Sequence, residues 1–379
     1  MKTLRTAGLP LVPTQVIGSL PRPKAVLDLL ASRATMPPGR FRAVMDDAVR
    51  FAIRMQEIAG IDIVSDGEWR RSQYVDEYLD RIGGFEQCRK FEHAGEVKYT
   101  RVVVRRIEAG DSVFAEDARF LVQNTDRCTK FALPSPFLIA VRYWHADYSA
   151  GAYPTYQHLM EHLAEILAKE ARALVEAGID IIQLDDPALT YFCDRALMAG
   201  DSTHDERLRR AWDPGRQIPE AIAAINRVLE NTGTQTHLHC CHSVYKRRSD
   251  VSGDYKPLMP YLGGLKADRV NLEFAYQNTG DASDLRTLPP QLGVGMGVVD
   301  VRGEALQTVD EIAALASKGA EIVGAARLAL NPDCGFAPNA AEPPSIDEAS
   351  EKLKRLCAAA AVVRSRYCAN RTVPNAPSV

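Results

Sequence analysis

Ala173-Leu174-Val175-Glu176-Ala177-Gly178 runs directly into Ile179-Asp180-Ile181-Ile182-Gln183-Leu184-Asp185. The first half has the composition of an amphipathic helix, and Gly178 suits the left-handed residue that ends one. The second half is a β-branched run of the kind found in strands buried on both faces, and it finishes on a carboxylate. The unit recurs. Met55-Gln56-Glu57-Ile58-Ala59-Gly60 leads into Ile61-Asp62-Ile63-Val64-Ser65-Asp66, and Ala314 to Val323 repeats the pattern more weakly. Helix, glycine, buried strand, over and over, predicts a parallel sheet.

Working outward, eight candidate strands appear, near Gln15–Ser19, Ile61–Asp66, Lys130–Pro134, Ile179–Asp185, Gln235–Cys240, Arg269–Phe274, Leu292–Asp300 and Ala325–Asn331. Eight strands separated by helices, in 379 residues, predict an α/β fold of the single (β/α)₈ TIM-barrel type. No Gly-x-Gly-x-x-Gly follows the first strand, which removes the support a dinucleotide-binding sheet would need. Between Gly83 and Leu133 the pattern changes. Val102-Val103-Val104 and Phe120-Leu121-Val122 predict a hairpin joined through Gly110-Asp111, an insertion after strand two over about residues 84–130. The barrel is expected to occupy 1–369, and the polar, proline-containing stretch 370–379 to be a mobile tail.

Composition narrows the class. With 46% hydrophobic and 25% charged residues the chain is an ordinary globular protein, neither disordered nor membrane-embedded. No run approaches the roughly 18 apolar residues of a bilayer span, and Met1 to Pro10 lacks the apolar core of a secretory signal. A net charge of −3 argues against a nucleic-acid partner, and Lys246-Arg247-Arg248 reads as a solvated loop. Eight cysteines in a chain this long do not form a disulfide framework. Cys88, Cys128, Cys193, Cys357 and Cys368 are scattered without ligand spacing. A reducing cytoplasm is the expected setting.

In such a barrel the active site lies at the carboxyl ends of the strands. The polar residues there are Ser19, Asp66 and Glu68, Asp185 and Asp186, His239 and Cys241, Glu273, Asp300, and Asp333 with Cys334. Within Thr236-His237-Leu238-His239-Cys240-Cys241-His242, the His-x-Cys step places His239 and Cys241 on one face, because strand side chains alternate. Thiolate and imidazole are the usual zinc ligands. Glu273 ends the next strand and Cys334 follows the last, so Cys₂, His and Glu could converge on one ion.

These blocks make the chain resemble the catalytic half of cobalamin-independent methionine synthase and the shorter single-barrel members of that family. The resemblance runs through Val16-Ile17-Gly18-Ser19-Leu20-Pro21-Arg22-Pro23, Asp66-Gly67-Glu68 and Gln183-Leu184-Asp185-Asp186-Pro187-Ala188. It continues through His239-Cys240-Cys241, Asn271-Leu272-Glu273 and Asn331-Pro332-Asp333-Cys334-Gly335, in the same order. It implies Zn²⁺ held by His239, Cys241, Glu273 and Cys334, with Cys240 facing the wall. It also implies that Ile17, Gly18, Ser19, Glu68 and Asp185 hold the amino-acid end of homocysteine. The reaction implied is methylation of a thiolate sulfur.

Two departures matter. The motif after strand seven reads Gly297-Val298-Val299-Asp300-Val301-Arg302, with arginine where the family's synthases carry a proton-donating histidine. Asp300 and Arg302 therefore stand as the catalytic candidates, although an arginine does not donate protons near neutrality. The folate-packing tryptophan segment has no match near Ser135-Pro136-Phe137-Leu138, and Ala188-Leu189-Thr190-Tyr191 lacks the expected acid. Three functions follow as expectations: a homocysteine S-methyltransferase using methyltetrahydrofolate or a methylcorrinoid protein; an epoxyalkane:coenzyme M transferase-like enzyme adding a thiol to an epoxide; or a non-enzymatic zinc-binding module. Glu68 with Asp185 favours an amino-acid thiol, whereas Arg302 with Arg70 or Arg71 would favour a sulfonate.

Overall fold

The computed structural model describes residues 4–369 apart from 94, 109, 202–207, 209 and 339–341. The expected tail, 370–379, lies outside the described residues. Seven parallel strands form one curled, TIM-barrel-like sheet. They are β1 (Ile63–Val64), β4 (Cys128–Pro134), β5 (Ile181–Asp185), β6 (Gln235–Cys240), β7 (Arg269–Glu273), β8 (Gly293–Val299) and β9 (Leu328–Pro332), paired in that order. β4, β5 and β9 are buried along their whole length, as their apolar sequences require.

The stretch expected as the first strand behaves differently. Thr14 bridges to Leu330 of β9 and Gln15 to Ile63 of β1, both in the parallel sense, so this segment touches the two outer strands. Val16 N still donates to Ile63 O of β1, and beyond it the segment leaves the sheet. Leu20 N donates to Gly67 O and Phe336 N donates to Ser19 O, so the segment ends by pairing with loops. The second expected strand shortens to Ile63–Val64 for a related reason. Ser65 Oγ bonds Gly18 O, and Asp66 Oδ1 accepts from Glu68 N, so its polar end builds a turn.

The helices start and stop where local chemistry directs. Thr155 Oγ1 caps the helix Tyr156–Glu176, and Gly178 follows it at φ 101°. Thr308 and Glu311 form a reciprocal capping box at the start of Val309–Val323. The helix Ile346–Ala369 packs along Val309–Val323 and Pro38–Ala59. From it, Arg364 reaches back to Leu11 O (2.9 Å), Val12 O (3.1 Å) and Asp62 Oδ2 (2.5 Å). Among the described residues, no helix is long and apolar enough to cross a membrane.

The expected hairpin needs correction. An antiparallel pair does lie between β1 and β4, but it comprises β2 (Phe85–His93) and β3 (Glu96–Val103). Phe120-Leu121-Val122 instead belongs to the helix Ala115–Gln123, with Leu121 buried. Three apolar residues in a row are too few to separate the two periodicities. The tip of the β2–β3 pair docks on the loop after β6: Lys98 Nζ sits 4.2 Å from the Tyr245 ring centroid, and Lys246 pairs with Glu96 at 3.2 Å.

Candidate metal centre

His239 lies one residue before the end of β6, and Cys241 directly follows the strand, so both point to the inside of the curl while Cys240 points outward. Cys240 is buried in apolar packing, its carbonyl accepting from Tyr255 Oη at 2.8 Å. Cys334 arrives from the end of β9. Asp333 beside it accepts from the backbone amides of Phe274, Ala275 and Tyr276 at 2.7–3.0 Å, which ties the Cys334 segment to the turn after β7. One ligand atom each from His239, Cys241 and Cys334 fall within 4.8 Å of one another, and all three residues are buried.

The chemistry of this group suits a soft divalent metal. His239 Nδ1 faces Asn271 O at 3.3 Å, while its Nε2 is buried with no hydrogen-bond partner. A bond from Cys334 and then the charge on His239 push the Cys241 thiol well below its ordinary range, despite burial. Burial opposes a charge on His239, yet Cys241, Asp185 and Glu273 together lift it to about 9. The imidazole is the cation within the group of three, and the Arg302 guanidinium also acts on Cys334 from outside it. Two thiols and one imidazole are ligands that zinc takes.

Glu273 stands apart from the group of three. Its Oε1 accepts from Arg302 Nη2 at 2.7 Å, and its Oε2 accepts from the His242 backbone at 3.0 Å and faces His242 Nδ1 at 2.7 Å. Burial works against its charge, but Arg302 and His242 prevail and hold the carboxyl down to about 2. The two side chains of the Arg302–Glu273 pair are fully buried.

That pairing corrects the roles expected for Arg302 and Asp300. Arg302 is spent on Glu273, on Ser243 O and on the face of Tyr276, 4.9 Å away, and does not line the cavity. Asp300 accepts from the backbone amides of Arg302 (2.7 Å) and Gly303 (2.9 Å), closing a turn rather than facing the cavity. Arg70 pairs with Asp46, and Arg71 donates to Ala132 O while packed against Phe114 and Phe131. Arg302, Arg70 and Arg71, the arginines that the epoxide reading needs, do not line the cavity.

A cavity of about 600 Å³ opens over the three ligands and also exposes Ile17, Ser19, Glu68 and Asp185. Gly18 stands behind them: a Cβ there would sit 2.3 Å from Glu68 Oε1. Glu68 itself adopts φ 58°, its backbone held by Asp66 Oδ1 and by Arg22 Nη2 at 2.9 Å. Burial pushes its carboxyl up to about 7, helped by Asp185 and Asp66 and opposed by Arg71. Burial likewise raises Asp185, against the charge of His239 and a 2.7 Å bond from Gln183. Arg71 lies 3.9 Å from Glu68 Oε1, but Glu68 Oε2 is buried with no hydrogen-bond partner, and an ammonium from a ligand would suit that oxygen beside Asp185. Sequence reasoning missed Tyr74, Arg142 and the β2–β3 residues Phe91, Lys98 and Tyr99, which line the outer half. They come from elements with no strand-end signal.

Comparison with known proteins agrees with this geometry. Residues 12–361 match the family described as cobalamin-independent synthase, catalytic domain. A methionine synthase of Thermococcus kodakarensis is 29% identical over 332 residues, covering 86% of this chain and 88% of that one. One from Saccharolobus solfataricus is 29% identical over 333 residues, covering 86% and 89%. The solved structure of a B12-independent methionine synthase from Shewanella sp. W3-18-1 in complex with selenomethionine superposes with a TM-score of 0.78, at 27% identity, over 95% of this chain and 99% of that one. With its matched region spanning almost every element described above, the chain belongs to the cobalamin-independent methionine synthase family.

Proposed function

We propose that this protein is a zinc-dependent thiol methyltransferase that makes methionine from homocysteine, taking the methyl group from a methyltetrahydrofolate-type donor. The observation that carries the proposal is the meeting of two cysteines and a histidine with two buried acids on one cavity, in a chain of this family. The related proteins named methionine synthase support the same substrate pair. The Thr14 and Gln15 bridges support an eighth position in the curl between β9 and β1, completing a (β/α)₈ barrel.

His239, Cys241 and Cys334 would hold the zinc, and the family resemblance adds Glu273 as a fourth ligand, which would have to give up its present partners Arg302 and His242 to reach it. Bound zinc keeps a thiol sulfur deprotonated near neutral pH, where a free thiol is mostly protonated. The chain supplies the rest. Glu68 and Asp185 bind the homocysteine ammonium, and the turn Ile17–Ser19 receives its carboxylate on backbone amides. That grip aims the sulfur at the group of three, and the wall from the β2–β3 pair, which mixes Phe91 and Tyr99 with Gln87, Lys98 and Thr100, faces the room left for the donor. Sulfur then forms a bond to the methyl carbon as the methyl–donor bond breaks. A purely structural zinc site would not open all three of its ligands onto a cavity of this size, and that favours the catalytic reading over a binding module.

The test is direct. Zinc-loaded protein is incubated with homocysteine and a methyl donor, and the product is identified by mass spectrometry. Methionine is expected. In the cobalt(II)-substituted protein, homocysteine should also change the visible spectrum as sulfur enters. No spectral response to any thiol would overturn the catalytic reading.

The raised Glu68 carboxyl gives a pH prediction. In the folded protein it keeps its proton to about 7, beyond the ordinary carboxylate range, so its contribution to stability is complete at low pH and declines as pH rises toward 7. Binding runs the other way. Homocysteine should gain affinity through that same window, relative to 4-mercaptobutanoate, its analogue without the amine. Calorimetric titration of both thiols from about pH 6 to 8 checks the ratio, which cancels thiol ionisation common to the two. A flat ratio would remove Glu68 from the ammonium site.

A further inference from the structure

Beneath the cavity the inside of the curl is polar, where a TIM barrel usually packs branched apolar side chains. Lys130 on β4 is 1% exposed and donates from Nζ to Gln15 Oε1 at 2.9 Å. Gln15 Nε2 donates to Asn271 Oδ1 (2.9 Å) and to Asn331 Oδ1 (3.2 Å). Asn271 Nδ2 donates to Gln183 Oε1 at 3.0 Å. Gln183 Nε2 finally donates to Asp185 Oδ1 at 2.7 Å and to Ile17 O at 3.0 Å. Gly295 on β8 makes room for the chain, since a Cβ there would lie 1.9 Å from Asn271 Oδ1.

The direction of this chain is not arbitrary. An ammonium only donates, and an ionised carboxylate only accepts, while a primary amide does both. Burial pulls Lys130 down to about 7, so near neutrality it carries its charge only in part. In either state its nitrogen donates to the oxygen that Gln15 offers, and Gln15 turns its NH₂ onward. The same constraint passes to Asn271 and then to Gln183. Each bond in such a series polarises the next. Were Lys130 absent, Gln15 Oε1 would lose its donor and the series its anchor at that end, leaving Gln183 held only by Asn271 and by the acceptors Asp185 Oδ1 and Ile17 O. Neighbouring His237 offers no substitute, for its imidazole is buried with neither nitrogen partnered.

We propose that Lys130, through Gln15, Asn271 and Gln183, is a positioning residue that keeps Asp185 aimed at the amine of the substrate. The inference rests on the reading of Asp185 as an ammonium-binding acid. Lys130 touches neither the cavity nor the metal ligands, so its influence is on selectivity for amino thiols rather than on sulfur activation.

The experiment compares kcat/KM for homocysteine and for 4-mercaptobutanoate in zinc-loaded Lys130→Met, Gln15→Leu and Asp185→Asn proteins. Lys130→Met should lower the preference for homocysteine about tenfold, with a larger change in KM than in kcat. Gln15→Leu keeps the ammonium but cuts the chain, and should move the preference the same way. It also serves where Lys130→Met does not fold. Equal losses for both thiols in Lys130→Met would show a structural role only and overturn the proposal. A change in Lys130→Met without one in Gln15→Leu would reduce Lys130 to a charge acting through space, and would overturn the chain. If Asp185→Asn shifts the preference while neither upstream variant does, only this inference falls. If Asp185→Asn leaves it unmoved, the ammonium-site reading falls first and this one with it.

Discussion

Cys334→Ser protein is expected to purify with less than about a tenth of the parent's zinc, and its methyl transfer to fall by at least about a thousandfold. The reason lies in the donor set. His239, Cys241 and Cys334 form the only cluster of three such donors among the described residues, and each is buried. Taking away one sulfur leaves a pair, and serine does not deprotonate to replace a thiolate. Cys241→Ser should behave alike. Cys88 is exposed and Cys193 is buried away from the cavity, so their serine variants should keep the metal. Metal analysis after dialysis against a weak chelator is the measurement. Full occupancy in Cys334→Ser would sink the zinc assignment whatever the activity showed.

The second large effect concerns stability. Arg302→Met should lower the unfolding free energy by about 3–5 kcal/mol, because it strands a buried carboxylate that now has a fully buried guanidinium at 2.7 Å. The pH dependence has a definite sign. Arg302 and His242 together hold Glu273 near 2, and with only His242 left burial drives that carboxyl upward. The variant can then escape part of its penalty by protonating Glu273 in acid, so the loss is greatest at neutral pH and shrinks as pH falls. Urea titrations of metal-free parent and variant, at several pH values, separate this from any change in zinc binding. Adding Glu273→Gln to the variant should recover part of the loss. If the single variant unfolds like the parent, the pair carries no weight in the fold.

Both predictions draw on parts of the site that differ in how visible they were in the sequence. The ligand triad was legible, because period-two alternation at the end of β6 puts His239 and Cys241 together and barrel topology brings Cys334 beside them. The cavity acids were legible for the same reason, as polar residues closing apolar strands. The engagement of Glu273 was not. Whether a strand-end glutamate faces a metal or an arginine depends on a partner 29 positions away, and Arg302 looked like a cavity cation until its surroundings were seen. Gln15 and Lys130 were opaque in another way. A lysine within a strand reads as solvent-facing, and only the curl of the sheet places it inside. The true hairpin was hidden because charged residues such as Arg89, Lys90 and Glu92 mask the alternation of β2.

The contacts that join the ends of the sheet also dictate an order of events during synthesis. Arg364 grips the carbonyl of Val12 across 352 residues, and Thr14 meets Leu330. A nascent chain that has emerged only through β8 already has Gln15 to meet Ile63 of β1, but β8 is a bare hydrogen-bonding edge because β9 is not yet made. The contacts of Thr14 with Leu330 and of Val12 with Arg364 form only after those later residues are made. Contacts this distant in sequence close late and slowly, and exposed strand edges invite pairing with other chains meanwhile. A curled sheet whose early segment bridges its late strand thus leaves the edge of β8 open during synthesis, and that opening ends when β9 pairs with it.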